Sequence, residues 1–141
     1  MSIDYLTRPR PLTPRDDILP VIIGGDFGVY GIGRCFNEAF GCRCICVGSQ
    51  PTESITRSNF FDVRHVSAHA SDAQLLDVLM SVAGEHPDKK LILMANHDIF
   101  SAFVARNARA LSRHYALPFP DSQVMERLTD KAEFARACER A

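Results

Sequence analysis

The sequence predicts a doubly wound α/β domain: a mostly parallel sheet of four to five strands with a layer of helices on each face. Three observations predict it. Short apolar runs alternate along the chain with stretches of helical periodicity, as strands alternate with helices in such folds. The apolar run Leu19-Pro20-Val21-Ile22-Ile23 breaks at a glycine-rich turn, Gly24-Gly25-Asp26-Phe27-Gly28, and then becomes helical. A second apolar run, Leu91-Ile92-Leu93-Met94-Ala95, hands over to a helical pattern just as abruptly at Asn96-His97-Asp98.

Length and composition bound the reading. A chain of 141 residues with 46% hydrophobic content suits one folded domain with its own core. Sixteen basic against 17 acidic residues leave a net charge of −1, and no basic block stands out, so nothing points to nucleic acid or an anionic membrane surface. No apolar run approaches membrane-spanning length and the first residues lack a signal-peptide core, so a cytoplasmic location is expected. The 5 cysteines agree with that compartment. Their odd number argues against a disulfide framework, and without C-x-x-C or histidines at finger spacing they do not suggest zinc. Cys42, Cys44 and Cys46 alternate and so share one face of a strand; with Cys35 and Cys138 they read mostly as small buried apolar residues.

Residues 1–19 carry Pro9, Pro11 and Pro14, too dense for a regular helix, and read as an extended lead-in to a domain spanning 20–120. The first strand and the turn come next. The helix beyond them would bury Ile32, Cys35, Phe36, Ala39 and Phe40 and stop at Gly41, a C-terminal cap. Arg43 to Gly48 is apolar or small almost throughout and reads as a buried parallel strand. Ser49 to Ser58 reads as a polar loop, Val63–Val66 as an edge strand, and His65 and His69 as surface histidines. Ser71-Asp72 caps a helix from Ala73 to Gly84 whose buried stripe is Leu75, Leu76, Leu79 and Val82. After the central strand at 91–95, Ile99, Phe100, Phe103 and Val104 recur at helical spacing, and the helix continues through Arg106 to His114. The prolines of Tyr115 to Pro120 confine that stretch to a short edge strand. Residues 121–141 read as two helices, Gln123 to Leu128 and Lys131 to Ala141, the second without a stop signal, as expected of a fragment that continues into a further domain.

The candidate site follows from topology. In a doubly wound sheet the first and fourth strands are neighbours at the switch point, and ligands bind beyond the carboxyl ends of the strands there. The two turns would then open into one crevice lined by Gly24, Gly25, Asp26, Tyr30, Asn96, His97 and Asp98. The glycines are off the G-x-G-x-x-G pattern, so a tight turn with close helix packing is as good a reading as an anion cradle. Asp98 is equally a helix N-cap, and His97 a base or donor without an identifiable partner.

Pro20-Val21-Ile22-Ile23-Gly24-Gly25-Asp26, then Val29-Tyr30-Gly31 and Arg34-Cys35-Phe36, resembles the amino-terminal part of ATP-grasp carboxylate–amine ligases, most nearly the D-aspartate ligase-like group. Carbamoyl-phosphate synthase and biotin carboxylase are more distant relatives. Pro120-Asp121 and Met125-Glu126-Arg127-Leu128-Thr129-Asp130-Lys131-Ala132-Glu133-Phe134 add to the likeness, which runs from about Pro20 to the end. The resemblance implies a Rossmann-like pre-ATP-grasp domain that shapes the substrate side of a cleft. It also implies a parent enzyme that uses ATP and Mg²⁺ to activate a carboxylate as an acyl phosphate, which an amine then attacks. The partners implied are a C-terminal ATP-grasp domain, a small carboxylate, an amine and, as in many relatives, a second copy of the chain. Lys131 stands where the family places a lysine that reaches nucleotide phosphates; the plain alternative is a solvated helix lysine. No later ATP-grasp lysine, adenine pocket, acidic Mg²⁺ ligands or Walker motif follows, so these residues alone are expected not to catalyse ligation. A free-standing nucleotide- or anion-binding protein and a non-catalytic interaction domain are the alternatives.

Overall fold

The computed structural model describes residues 13–139. Most of the expected lead-in therefore lies outside the described residues, as do Arg140 and Ala141. Five parallel strands form one sheet in the order β3-β2-β1-β4-β5: β1 (Ile18–Ile23), β2 (Cys44–Gly48), β3 (Phe61–His65), β4 (Lys90–Ala95) and β5 (Tyr115–Ala116). The helices between them are α1 (Phe27–Phe40), α2 (Glu53–Thr56), α3 (Asp72–Glu85), α4 (Asp98–Arg106) and α5 (Ala108–Leu111), with α6 (Ser122–Thr129) and α7 (Lys131–Glu139) after the sheet. The doubly wound α/β class read from the sequence is the fold found.

The alternation of side chains along a strand divides the core in two. Leu19, Val21 and Ile23 of β1 face Leu75, Leu79 and Val82 of α3 and Phe103, Val104 and Leu111 of α4 and α5. Ile22 of the same strand faces the other way, with Cys44, Cys46, Val29 of α1 and Ile55 of α2. β1 starts at Ile18, one residue before its apolar run, and it tolerates Pro20 because pairing with β2 begins only at Val21. The short β5 is tied to the layer below by the Tyr115 hydroxyl, which donates to the Leu79 carbonyl at 2.6 Å.

Three elements depart from their sequence reading, each for a local reason. On α1 the buried residues are Val29 and Gly33, while Cys35 and Ala39 are exposed. A Cβ on Gly33 would lie 2.1 Å from the Phe61 ring, so this helix approaches β3 through a missing side chain, which a count of apolar residues does not register. The polar loop at 49–58 contains α2, pinned by the fully buried Ile55. The helix running on from Arg106 is broken at Asn107, whose side-chain amide donates to the Phe103 carbonyl at 2.9 Å and competes with the helical ladder.

The cysteines divide. Cys42, Cys44 and Cys46 are buried and Cys35 and Cys138 are exposed, so the buried reading holds for the alternating three only. The Cys44 and Cys46 thiols donate to the carbonyls of Gly33 and Gly24, at 3.7 and 3.2 Å. Burial pushes the Cys44 thiol up to about 12 and the Cys46 thiol up to about 11. A pKa raised by folding stabilises the native state below the unfolded value and loses that contribution as pH rises through the folded one. Denaturant melts are expected to show stability falling from about pH 9 upward, by up to about 1.4 kcal/mol per pH unit for each thiol, and Cys44→Ala with Cys46→Ala to flatten that fall.

Candidate functional site at the carboxyl ends of β1 and β4

The pairing of β1 with β4 runs in register to Ile23 opposite Ala95, so the turns that follow leave the sheet side by side. Gly24 bends the chain with φ +129°, the only positive φ in the described part of this turn, while its N–H still donates to Val47 of β2 at 2.9 Å. β1 and β2 close so tightly there that a Cβ on Gly48 would lie 2.2 Å from the Gly24 carbonyl oxygen. α1 begins at Phe27, so Gly28, Gly31 and Gly33 belong to the helix and the glycine-rich stretch is not one continuous loop around an anion.

Asp26 is the N-cap of α1, with extended backbone, and its Oδ1 accepts from the Val29 N–H at 3.0 Å. The Asn96 amide, 70 residues away in sequence, donates to both oxygens of the same carboxylate at 3.2 and 3.1 Å. His97 Nε2 lies 2.9 Å from Asp26 Oδ2. The carboxylate thus joins the two turns. Its pKa is held below the usual carboxylate value, chiefly by the Val29 N–H; burial opposes this and is the next largest effect, and His97 and the Asn96 amide each add a smaller lowering. Gly28 makes the arrangement possible, since a Cβ there would lie 2.2 Å from the Asn96 amide nitrogen.

The other residues expected at the crevice have different places. The Gly25 carbonyl accepts from Thr52 at 2.8 Å, and a Cβ at Gly25 would meet Pro51 at 3.0 Å, so this glycine seats the loop before α2. Tyr30 lies half-buried against Phe60, ring centres 5.9 Å apart, and packs in the α1–α2 layer. Asp98 is exposed as the first residue of α4; the N-cap position is taken by His97, without a side-chain cap, so the capping alternative for Asp98 does not hold. Capping falls to Asp26, and the sequence signal for it was an aspartate one residue before the helical pattern. Lys131 stands exposed at the start of α7. Phe27 and Ile99, first-turn residues of α1 and α4, are 74% and 76% exposed; these large apolar side chains flank the polar centre and were not among the residues expected to line the crevice.

The donor set does not fit a nucleotide phosphate. At the start of α1 the Asp26 carboxylate itself accepts from the Val29 N–H and places a negative charge there, and residues 24–28 and 96–100 contain no lysine or arginine. Among the described residues no group of three or more His, Cys, Asp or Glu side chains is placed to hold a metal ion. A cavity of about 350 Å³ lies at the opposite end of the sheet, over Leu19, Phe40 and Ile45. Its charged rim is engaged internally, with Arg43 on Asp62 at 2.6 Å and Lys89 on the Asp16 carbonyl at 2.6 Å, although His86 on its wall keeps a buried Nε2 with no hydrogen-bond partner among the described residues. Open α/β sheets bind at the carboxyl ends of their strands, which favours the Asp26 crevice. No described helix is long and apolar enough to cross a membrane.

Gly28→Ala separates this site from the fold. Alanine gains about 1 kcal/mol of helix propensity over glycine, while the new methyl drives the Asn96 amide off Asp26. Near-unchanged stability in urea is expected, together with large shifts of the Asn96 side-chain amide resonances; unmoved resonances would contradict the packing.

Over 127 residues, 88% of the chain, the sequence is 28% identical to the D-aspartate ligase of Enterococcus faecium (strain Aus0004). The chain spans 30% of the length of that relative. No family model and no solved structure matches the chain.

Proposed function

We propose that these residues form the substrate-side domain of an ATP-dependent ligase that joins a carboxylate to an amine. The observation that carries the reading is the similarity to a D-aspartate ligase across nearly the whole chain. It is supported by a parallel sheet whose switch-point crevice gathers Asp26, Asn96 and His97 from two distant turns. In this reading ATP and Mg²⁺ belong to further polypeptide corresponding to the rest of the relative, because the crevice lacks the cationic groups that phosphoryl transfer requires. That further domain is the partner that covers the crevice and takes up Phe27 and Ile99, and Lys131 on α7 extends toward its nucleotide.

The test is made on a longer polypeptide carrying these residues together with a segment matching the rest of D-aspartate ligase. ADP and an amide product are expected only when ATP, D-aspartate or a similar carboxylate, and an amine are all present. Lys131→Ala is expected to raise the KM for ATP about tenfold, as loss of one lysine–phosphate contact would. ADP formation indifferent to carboxylate and amine would overturn the reading, and unchanged ATP kinetics would remove Lys131 from it.

A further inference from the structure

We propose that the crevice carries a side pocket, walled off by Phe100, for an uncharged alkyl chain of about three or four carbons. The substrate it selects is then a carboxylate with a short aliphatic side chain where aspartate has its second carboxyl group. The inference rests on the ligase reading only in assigning the chain to the carboxylate substrate; the pocket and its preference stand on the packing.

A cavity of about 90 Å³ opens where β1, β2 and the chain after β3 leave the sheet. Ile23, Val47, Val66, Leu75 and Phe100 give it apolar walls. It therefore lies at the carboxyl ends of the strands, on the α3–α4 face, the end at which open α/β sheets bind ligands. Phe100 joins it to the polar centre. The ring stands edge-on to His97 at 6.2 Å between centres, and it comes within 3.9 Å of the place a Cβ on Gly24 would take. One aromatic side chain is thus the partition between the pocket and the group formed by Asp26, Asn96 and His97.

Volume and polarity define the guest. An apolar cavity of about 150 Å³ takes benzene, with its six heavy atoms, so a space of this size takes roughly three or four. Among the described residues no charged side chain lines it. Its hydroxyls are those of Ser49 and Ser67, and Ser67 Oγ already accepts from the His69 N–H at 3.2 Å. A carboxylate placed here would give up its hydration with no cation to meet it. An alkyl chain strengthens binding by about fourfold for each methylene buried. The space stays open because the loop after β3 closes its side with Ala68 and Ala70, one methyl group each.

The test is a titration of the 141-residue chain with neutral primary amides of increasing length, acetamide to heptanamide, read by the ¹³C methyl shifts of Ile23, Val47, Val66 and Leu75. Saturable shifts are expected, with affinity rising about fourfold per carbon to a maximum at butanamide or pentanamide and falling beyond it. Val66→Phe should remove these shifts by filling the space. Val66→Ala, which takes two methyl groups from the wall, should move the maximum to longer chains. Affinity that climbs with length without a maximum, shifts that do not saturate, binding that survives Val66→Phe, or a maximum that stays put in Val66→Ala overturns the inference. In the longer polypeptide D-norvaline should be used in preference to D-aspartate, by about tenfold or more in kcat/KM. The length profile in a protein whose longer form makes no amide would uphold the pocket and sink the ligase reading. Amide synthesis that favours D-aspartate would uphold the ligase reading and sink the inference.

Discussion

Gly48→Ala lowers the stability of the domain by about 3 kcal/mol, at the upper end of what overpacking costs. The added methyl would sit 2.2 Å from the Gly24 carbonyl oxygen and 3.0 Å from its carbon. Both are backbone atoms, so no side chain can swing aside. Gly24 is fixed as well, since its N–H donates to Val47 and the Cys46 thiol reaches its carbonyl. Relief would have to come from parting β1 and β2 at the end where the crevice forms. Urea melts read the loss, and a drop under about 1 kcal/mol would show that the strands separate more easily than their packing implies. The contrast with Gly28→Ala is instructive: there the obstacle is the end of the Asn96 side chain, and the cost falls on the site instead of the fold.

Asp26→Ala costs about 2 kcal/mol at neutral pH, about 1 for the helix cap and the remainder for the Asn96 bonds. Asp26→Asn keeps a good cap and should cost much less. The pH dependence has a definite sign. Because folding lowers the Asp26 pKa, its contribution is present above the unfolded value of about 3.9 and is lost as pH falls through the folded value. The gap between wild type and Asp26→Ala should therefore close in acid. A gap that persists or widens below pH 3 would assign the effect to something other than the ionised carboxylate.

Much of this fold was legible because apolar periodicity reports burial directly. β1, β2, β4 and α3 each showed it, and the capping box of Ser71 and Gln74 confirms the start read at Ser71-Asp72. The meeting of the two turns was legible too, since strand order follows from the handedness and connectivity of parallel sheets. What periodicity misses is contact made by absence. Gly33 against Phe61, Gly48 against Gly24 and Gly28 against Asn96 bring elements together through missing side chains, and no run of apolar residues marks them. Tyr30 was placed at the crevice because it lay near the glycines in sequence; the helix had already begun at Phe27, and rotation by one further turn carried it toward Phe60. The partner of His97 was out of reach for another reason: Asp26 is separated from it by three strands and three helices of chain, and only the closing of β1 on β4 brings them within 2.9 Å.

The account depends on one carboxylate joining the two turns, and the titration of that carboxylate tests it most directly. Following the Asp26 side-chain ¹³C resonance with pH should give a midpoint below the ordinary aspartate value of about 3.9. Asn96→Ala and His97→Ala should each raise it, and together raise it further, while the Val29 N–H keeps it from returning fully. A midpoint that neither substitution moves would mean the turn after β4 does not touch the turn after β1, and the crevice would not exist as described.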